Sequence, residues 1–216
     1  MLGKAKGEKE REILPRTKEQ YEAMRIVTRN KIHSAAIKLF AKKGYAATSV
    51  KDIAEEARIS TGLMYRHYQK KEDLFNELVT YAAEGLDRVA KRFKSTDSPV
   101  ELIQQFTLEI LNDLEKDDEY AQFHMLMNQS STIEDPSPQI KHLNKQSEAM
   151  LHQTARLIER GQRIGQFKQG NTIKMAFFYF ASIQGLAMMK ITMSEKFITP
   201  SLEIIISFLI EDGISP

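Results

Sequence analysis

Between Tyr21 and Tyr45 the chain reads YEAMRIVTRNKIHSAAIKLFAKKGY, and its apolar or small side chains recur at steps of three and four: Tyr21, Met24, Thr28, Ile32, Ala35, Leu39, Phe40. That spacing is one face of a helix and is incompatible with a strand. The helix is expected to start near Lys18 and to end at Gly44, a residue that enters the left-handed region at no steric cost. The same period continues along the chain. VELIQQFTLEILNDLE, EYAQFHMLMNQ, a long segment ending around Gly161 or Gly165, TIKMAFFYFASIQGLAMMKIT and SLEIIISFLIED all carry it, separated by turn signals such as STDSP and EDPSP. No convincing two-residue alternation interrupts them. The expected fold is all-α, with about nine helices and no internal repeat.

Within this helical frame residues 48–67 are unusual. Thr48 or Ser49 can cap a helix with Asp52 three positions after Ser49, and Val50, Ile53, Ala54 and Ala57 form its apolar stripe. After the turn ARIS, Ser60 can cap a second short helix, TGLMYRHY, with Met64 and Tyr68 facing inward. KKEDLFNELVTYAAEGLDRVAKRF then continues as a fourth helix with Leu74, Leu78, Tyr81 and Leu86 inside. Helix, short turn, helix is the arrangement that lays its second helix in the DNA major groove. Gly62 has no side chain, so a phosphate backbone can come close. Thr61, Tyr65 and Arg66 can be reached from one side of the helix. The hydroxyls of Ser60, Thr61 and Tyr65 and the imidazole of His67 offer donors to phosphate oxygens, and Leu63 can touch a thymine methyl.

Charge supports this reading. Residues 1–70 hold 16 Lys+Arg against 8 Asp+Glu, whereas the remainder holds 15 against 21, although the whole chain carries only +2. A basic front on an acidic body is the footprint of a module that binds a polyanion with one end. Lys4, Lys6, Lys9, Arg11, Arg16 and Lys18 form a basic N-terminal arm, read either as a solubilising tail or as a minor-groove or phosphate contact.

The run TSVKDIAEEARISTGLMYRHYQKKEDLF, together with IHSAAIKLFAKKGY before it, resembles the N-terminal DNA-binding domain of the TetR/AcrR family of bacterial transcriptional regulators over residues 28–78. The resemblance implies that Thr48 and Ser49 bind phosphate at the start of the second helix. It implies further that Thr61, Gly62, Leu63, Tyr65 and Arg66 face the groove, and that His67 and Lys71 reach the DNA backbone. Tyr68 departs from the usual Phe, and Lys70 from a small polar residue. The family's C-terminal ligand-binding and dimerisation domain is implied in the same way. The expected division is a basic arm over 1–20, a helix-turn-helix domain over 21–75, and a helical effector-binding and dimerisation domain over 76–216.

In that body, Ala181 and Gly185 stand four apart and permit close helix approach, so the last two helices are expected to form a homodimer interface, or else an intramolecular core. IIISFLI is apolar nearly all round and is expected to be buried on more than one side. Flexible thioethers and aromatic rings suit a pocket for a lipophilic small-molecule effector. Its candidate lining is Phe106, Phe123, His124, Met127, Tyr179, Gln184 and Met188, with His124 and Gln184 as the polar groups.

Other chemistry is expected to be absent. The chain has no cysteine, and no GxSxG, HExxH or Walker loop appears, so neither an enzyme nor a cofactor is expected. The acidic run DLEKDDEY lacks the loop glycine of a calcium cage, and His142 and His152 are ten apart and face different ways, so no metal site is expected. Residues 1–20 develop no apolar h-region. The run Met175–Met189 is shorter than the roughly 20 residues of a membrane span, so a cytoplasmic location without membrane contact is expected, with this run as a buried helix. The function expected is a dimeric, ligand-responsive repressor of a palindromic double-stranded DNA operator. The alternative is a non-specific architectural DNA binder, which would share the basic front but would not need so large an acidic body.

Overall fold

The computed structural model describes residues 17–211 and 213. Nine α-helices follow in chain order among them: α1 (Lys18–Lys43), α2 (Val50–Glu56), α3 (Thr61–His67), α4 (Lys71–Phe93), α5 (Pro99–Lys116), α6 (Glu119–Ser130), α7 (Pro138–Arg163), α8 (Thr172–Met193) and α9 (Leu202–Ile206). The only extended pairing among the described residues is a single antiparallel bridge, Phe167 to Ile210.

Local chemistry sets the helix ends. Thr17 caps α1 reciprocally with Gln20, and Gly44 (φ 82°) closes it, its N–H donating to the Phe40 carbonyl. Ser49, not Thr48, caps α2, in a capping box with Asp52. The turn into α3 places Arg58 at φ 55°, a conformation that costs a residue with a Cβ about 1 kcal/mol. The last helix is shorter than its apolar run, because after Ile206 the chain turns to pair with the segment behind α7: Lys168 N donates to Leu209 O at 2.8 Å and Glu211 N to Gln166 O at 3.1 Å. Gly161 lies inside α7, where a Cβ would stand 2.2 Å from the buried Phe167 ring, so only glycine permits that contact.

The core falls into two clusters. One joins α1, α2, α3 and the first half of α4 with Leu126 and Met127 of α6 and Ile140 and Leu143 of α7. The other joins the second half of α4 with α5, α8, α9 and the last turns of α7. Leu86 packs against both, so α4 is the spine through the two.

Several inward positions read from periodicity lie outside. Burial in α1 begins at Ile32, and Tyr21 and Met24 are exposed because the helix extends beyond its neighbours. Tyr81 is exposed, with the Phe123 ring edge-on at 6.1 Å and the Arg88 guanidinium 5.8 Å from its centre. The run Met175–Met189 is not a fully buried helix. By length and apolarity alone α8 could cross a bilayer, yet it buries a single stripe, Ala176, Tyr179, Ile183 and Ala187, and turns Phe177, Phe178, Met188 and Met189 outward. Ile205 and Ile206 are buried on α9 while Ile204 is exposed, so IIISFLI is not enclosed all round either.

Candidate nucleic-acid interface

Seven residues make too short a helix to hold itself, so α3 depends on its anchors. Met64 is fully buried and Tyr68 nearly so, both in the core formed with α1 and α4. At the N-terminus, Ser60 Oγ accepts from Leu63 N at 3.1 Å. At the C-terminus, His33 Nε2 of α1 lies 2.9 Å from Tyr68 Oη and 3.1 Å from Glu77 Oε1 of α4, and Arg29 Nε pairs with the same carboxylate at 3.2 Å. One polar cluster thus locks three elements. Burial holds the His33 imidazole below its ordinary range, outweighing the Glu77 charge that favours protonation.

With one face of α3 anchored, the other is free. Thr61, Gly62 and Arg66 are exposed, Tyr65 is 51 % exposed, and Leu63 and His67 are half-buried. Nothing lies within 4 Å of where a Gly62 Cβ would project, so the backbone there is open to approach. Burial, and then the cations of Arg25 and Arg29, keep His67 below the usual imidazole range. At neutral pH it therefore offers an uncharged N–H rather than a positive charge.

Two positions expected at the DNA have other commitments. Thr48 is 2 % exposed and its hydroxyl donates to Gly44 O at 2.9 Å, closing the end of α1. Lys71 Nζ donates to Tyr45 O at 2.6 Å and Thr48 O at 2.8 Å and sits 4.2 Å from the centre of the Tyr45 ring. Its ammonium binds the α1–α2 loop to α4, with two of its three N–H donors given to these carbonyls. Ser49 remains exposed, but its hydroxyl donates to Asp52 Oδ2 at 2.7 Å.

Arg25 was not singled out by sequence. It is exposed on α1, close enough to His67 to depress its pKa, and makes no ion pair among the described residues. Its four-residue spacing from Arg29 was the available signal. Lys4, Lys6, Lys9, Arg11 and Arg16 lie outside the described residues; Lys18 opens α1.

The residues expected to line one effector pocket are divided among three places. Phe106 and Tyr179 meet in the body core, where Tyr179 Oη is 2.8 Å from the buried Thr107 hydroxyl. Phe123 and Met127 pack into the other cluster, because that side of α6 faces α1. His124 is held below its ordinary pKa by burial and lies 3.1 Å from Asn128 Nδ2. Gln184 and Met188 are exposed on the side of α8 opposite Tyr179 and Ile183, so neither faces that interior. Two buried donors, Arg92 Nε and Gln104 Nε2, have no hydrogen-bond partner.

The bacterial regulatory proteins of the tetR family match this chain over residues 32–78, the span from the first buried residue of α1 into α4. The transcriptional regulator TtgR of Pseudomonas putida is 27 % identical over 181 residues, covering 81 % of this chain and 83 % of that protein. Residues 32–78 thus carry the DNA-binding domain of the tetR family of bacterial regulatory proteins. The chain is a helix-turn-helix DNA-binding transcriptional regulator. Its fold extends the likeness to the whole body. MbdR from Azoarcus sp. CIB superposes with TM-score 0.66 at 19 % identity, over 87 % of this chain and all of that one. SmeT of Stenotrophomonas maltophilia does so with TM-score 0.62 at 19 % identity, over 87 % and 94 %.

Proposed function

We propose that the protein is a homodimeric, cytoplasmic repressor that holds α3 of each subunit in successive major grooves of a palindromic operator and lets go when a small molecule enters its body. The observation that carries this is the free face of α3: an exposed Tyr65 and Arg66 beside a backbone left open at Gly62, on a helix whose other face is anchored. Arg66 has the fork geometry for a guanine edge or a phosphate, and Tyr65, Thr61 and Ser60 supply hydroxyl donors. Arg25 extends the phosphate contacts from α1. The working division is an arm over 1–20, the DNA-binding unit over 21–75 and the effector and dimerisation unit over 76–216.

The outward apolar face of α8, with Phe177, Phe178, Met188 and Met189, supports a dimer, since a contiguous apolar face is costly to leave in water. For the effector, the body interior around Phe106, Thr107 and Tyr179 offers aromatic walls and one hydroxyl pair. It suits an apolar molecule bearing a single hydrogen-bonding group. SmeT, a repressor of the SmeDEF multidrug efflux pump, forms a complex with triclosan, and a regulator from Saccharomonospora viridis forms one with choline. The same architecture thus houses guests of different chemistry. A ligand releases DNA only to the extent that it prefers the DNA-incompetent arrangement.

The test is binding of the full chain to its own upstream DNA and to unrelated DNA of equal length across a salt series. Both affinities fall with salt, so their ratio decides. A large ratio at moderate salt, abolished by some lipophilic compounds, is the expected result. Equal affinity for genome-selected and random fragments would instead indicate an architectural binder.

A further inference from the structure

On an otherwise acidic body one concave surface is cationic. Where the C-terminal end of α4 meets α7, a groove of about 380 Å³ is lined by Lys94, Arg156, Arg160 and Arg163, with Glu159 the one acid in the lining. The side chains of Lys94, Arg156 and Arg163 enter no ion pair or hydrogen bond among the described residues. Arg160 is fixed in place, Nη1 donating to Ser95 O at 2.6 Å and Nη2 to Asp97 O at 3.1 Å, while its Nε is buried without a partner. Gln153 also lines the groove; it is 8 % exposed, and its side-chain amide has no hydrogen-bond partner among the described residues.

A cationic last turn often does no more than complement a helix dipole, so the magnitudes matter. Both α4 and α7 end here, and each contributes about −0.5 charge. Four cations against one carboxylate therefore leave roughly +2 after both dipoles are counted. The Gln153 amide has no protein partner among the described residues and is not sealed from solvent, so its N–H is available to a molecule in the groove. DNA held on α3 is out of reach: the 23 residues of α4 place the groove roughly 33 Å from Lys71.

We propose that this groove binds a small dianion of the phosphate-monoester or pyrophosphate class. Arg156 and Arg163 grip its oxygens with charge-assisted hydrogen bonds, Lys94 adds a point charge at the rim, and Gln153 donates an amide N–H from the floor. The site is separate from the effector interior and from the DNA-facing surface.

Calorimetric titration of the full chain with sodium pyrophosphate, at ionic strength matched with sodium chloride, tests this beside three variants. One saturable site is expected in the parent and in Arg66→Gln. Arg156→Gln/Arg163→Gln, two exposed positions, should bind about 100-fold more weakly or worse, since each lost charge-assisted bond is worth about tenfold. Lys94→Gln should weaken binding by a smaller factor and serves alone if the double variant does not fold. Absence of saturable binding in the parent, equal binding in the double and Lys94→Gln variants, or loss in Arg66→Gln would overturn the proposal, the last by placing the anion on the DNA-facing surface. Operator binding of the double variant should be intact, so failure here leaves the repressor reading standing.

Discussion

At the scale of single residues, the structure separates side chains that hold the DNA-binding unit together from those left free to contact DNA. Lys71 belongs to the first group: two carbonyls and a ring surround its ammonium. Lys71→Ala is expected to lower stability by about 1–3 kcal/mol in urea unfolding; an unchanged midpoint with lost DNA affinity would return the ammonium to phosphate. Tyr65 and Arg66 belong to the second. Alanine at either should leave the unfolding midpoint unchanged and weaken operator binding by about 1–3 kcal/mol, measured by fluorescence anisotropy. His33 gives a pH signature. Burial lowers its folded pKa beneath the ordinary 6.5, and burial does the same to His124. The unfolded chain therefore binds more protons on acidification, and stability is full above the ordinary imidazole range and falls below it. Urea midpoints should drop between about pH 7.5 and 5.5, less steeply in His33→Gln; identical slopes would remove His33 from the account.

At the scale of the element, α3 exists because its neighbours impose it. Ser60→Ala removes a cap and should cost about 1 kcal/mol in stability. Gly62→Ala separates folding from function, since open space surrounds the position. The methyl should raise helix stability by up to about 1 kcal/mol while standing between the helix and a phosphate, lowering operator affinity about tenfold or more, about 1.4 kcal/mol. Thermal melting and a binding titration on one sample read both signs, and parallel changes would mean that Gly62 serves packing instead. The α8 helix is the converse case. Its uniform apolarity concealed a division into a buried stripe and an open face that only its position beside α6 and α7 defines.

At the scale of the molecule, the spine helix α4 joins the α3-bearing cluster to the body core and packs along α7, so a change in how α7 packs on α4 is carried to the anchors of α3. The open face of α8 makes a prediction here. Met188→Asp, at an exposed position, should leave the helical circular dichroism intact and move the protein from dimer to monomer in sedimentation at micromolar concentration. Operator affinity should fall with it, because two half-sites are then no longer bound by one particle. A monomeric parent would remove α8 as the dimer interface.

What the sequence determined by itself was local. Periods of three and four, the serine caps at Ser49 and Ser60 and the stop at Gly44 act within one or two turns, and they emerge in the structure as expected. The inward pair Met64 and Tyr68 was legible for the same reason, as the helical period alone places them opposite Tyr65. Contacts between distant residues were not legible. The capture of Lys71 by the 45–48 loop, the meeting of His33 with Tyr68 and Glu77, and the scattering of the expected pocket residues over two cores and one surface depend on helix rotation and register. Those are decided only when whole helices pack, because a side chain's partner across a helix interface is set by the neighbour's angle and not by its own sequence surroundings.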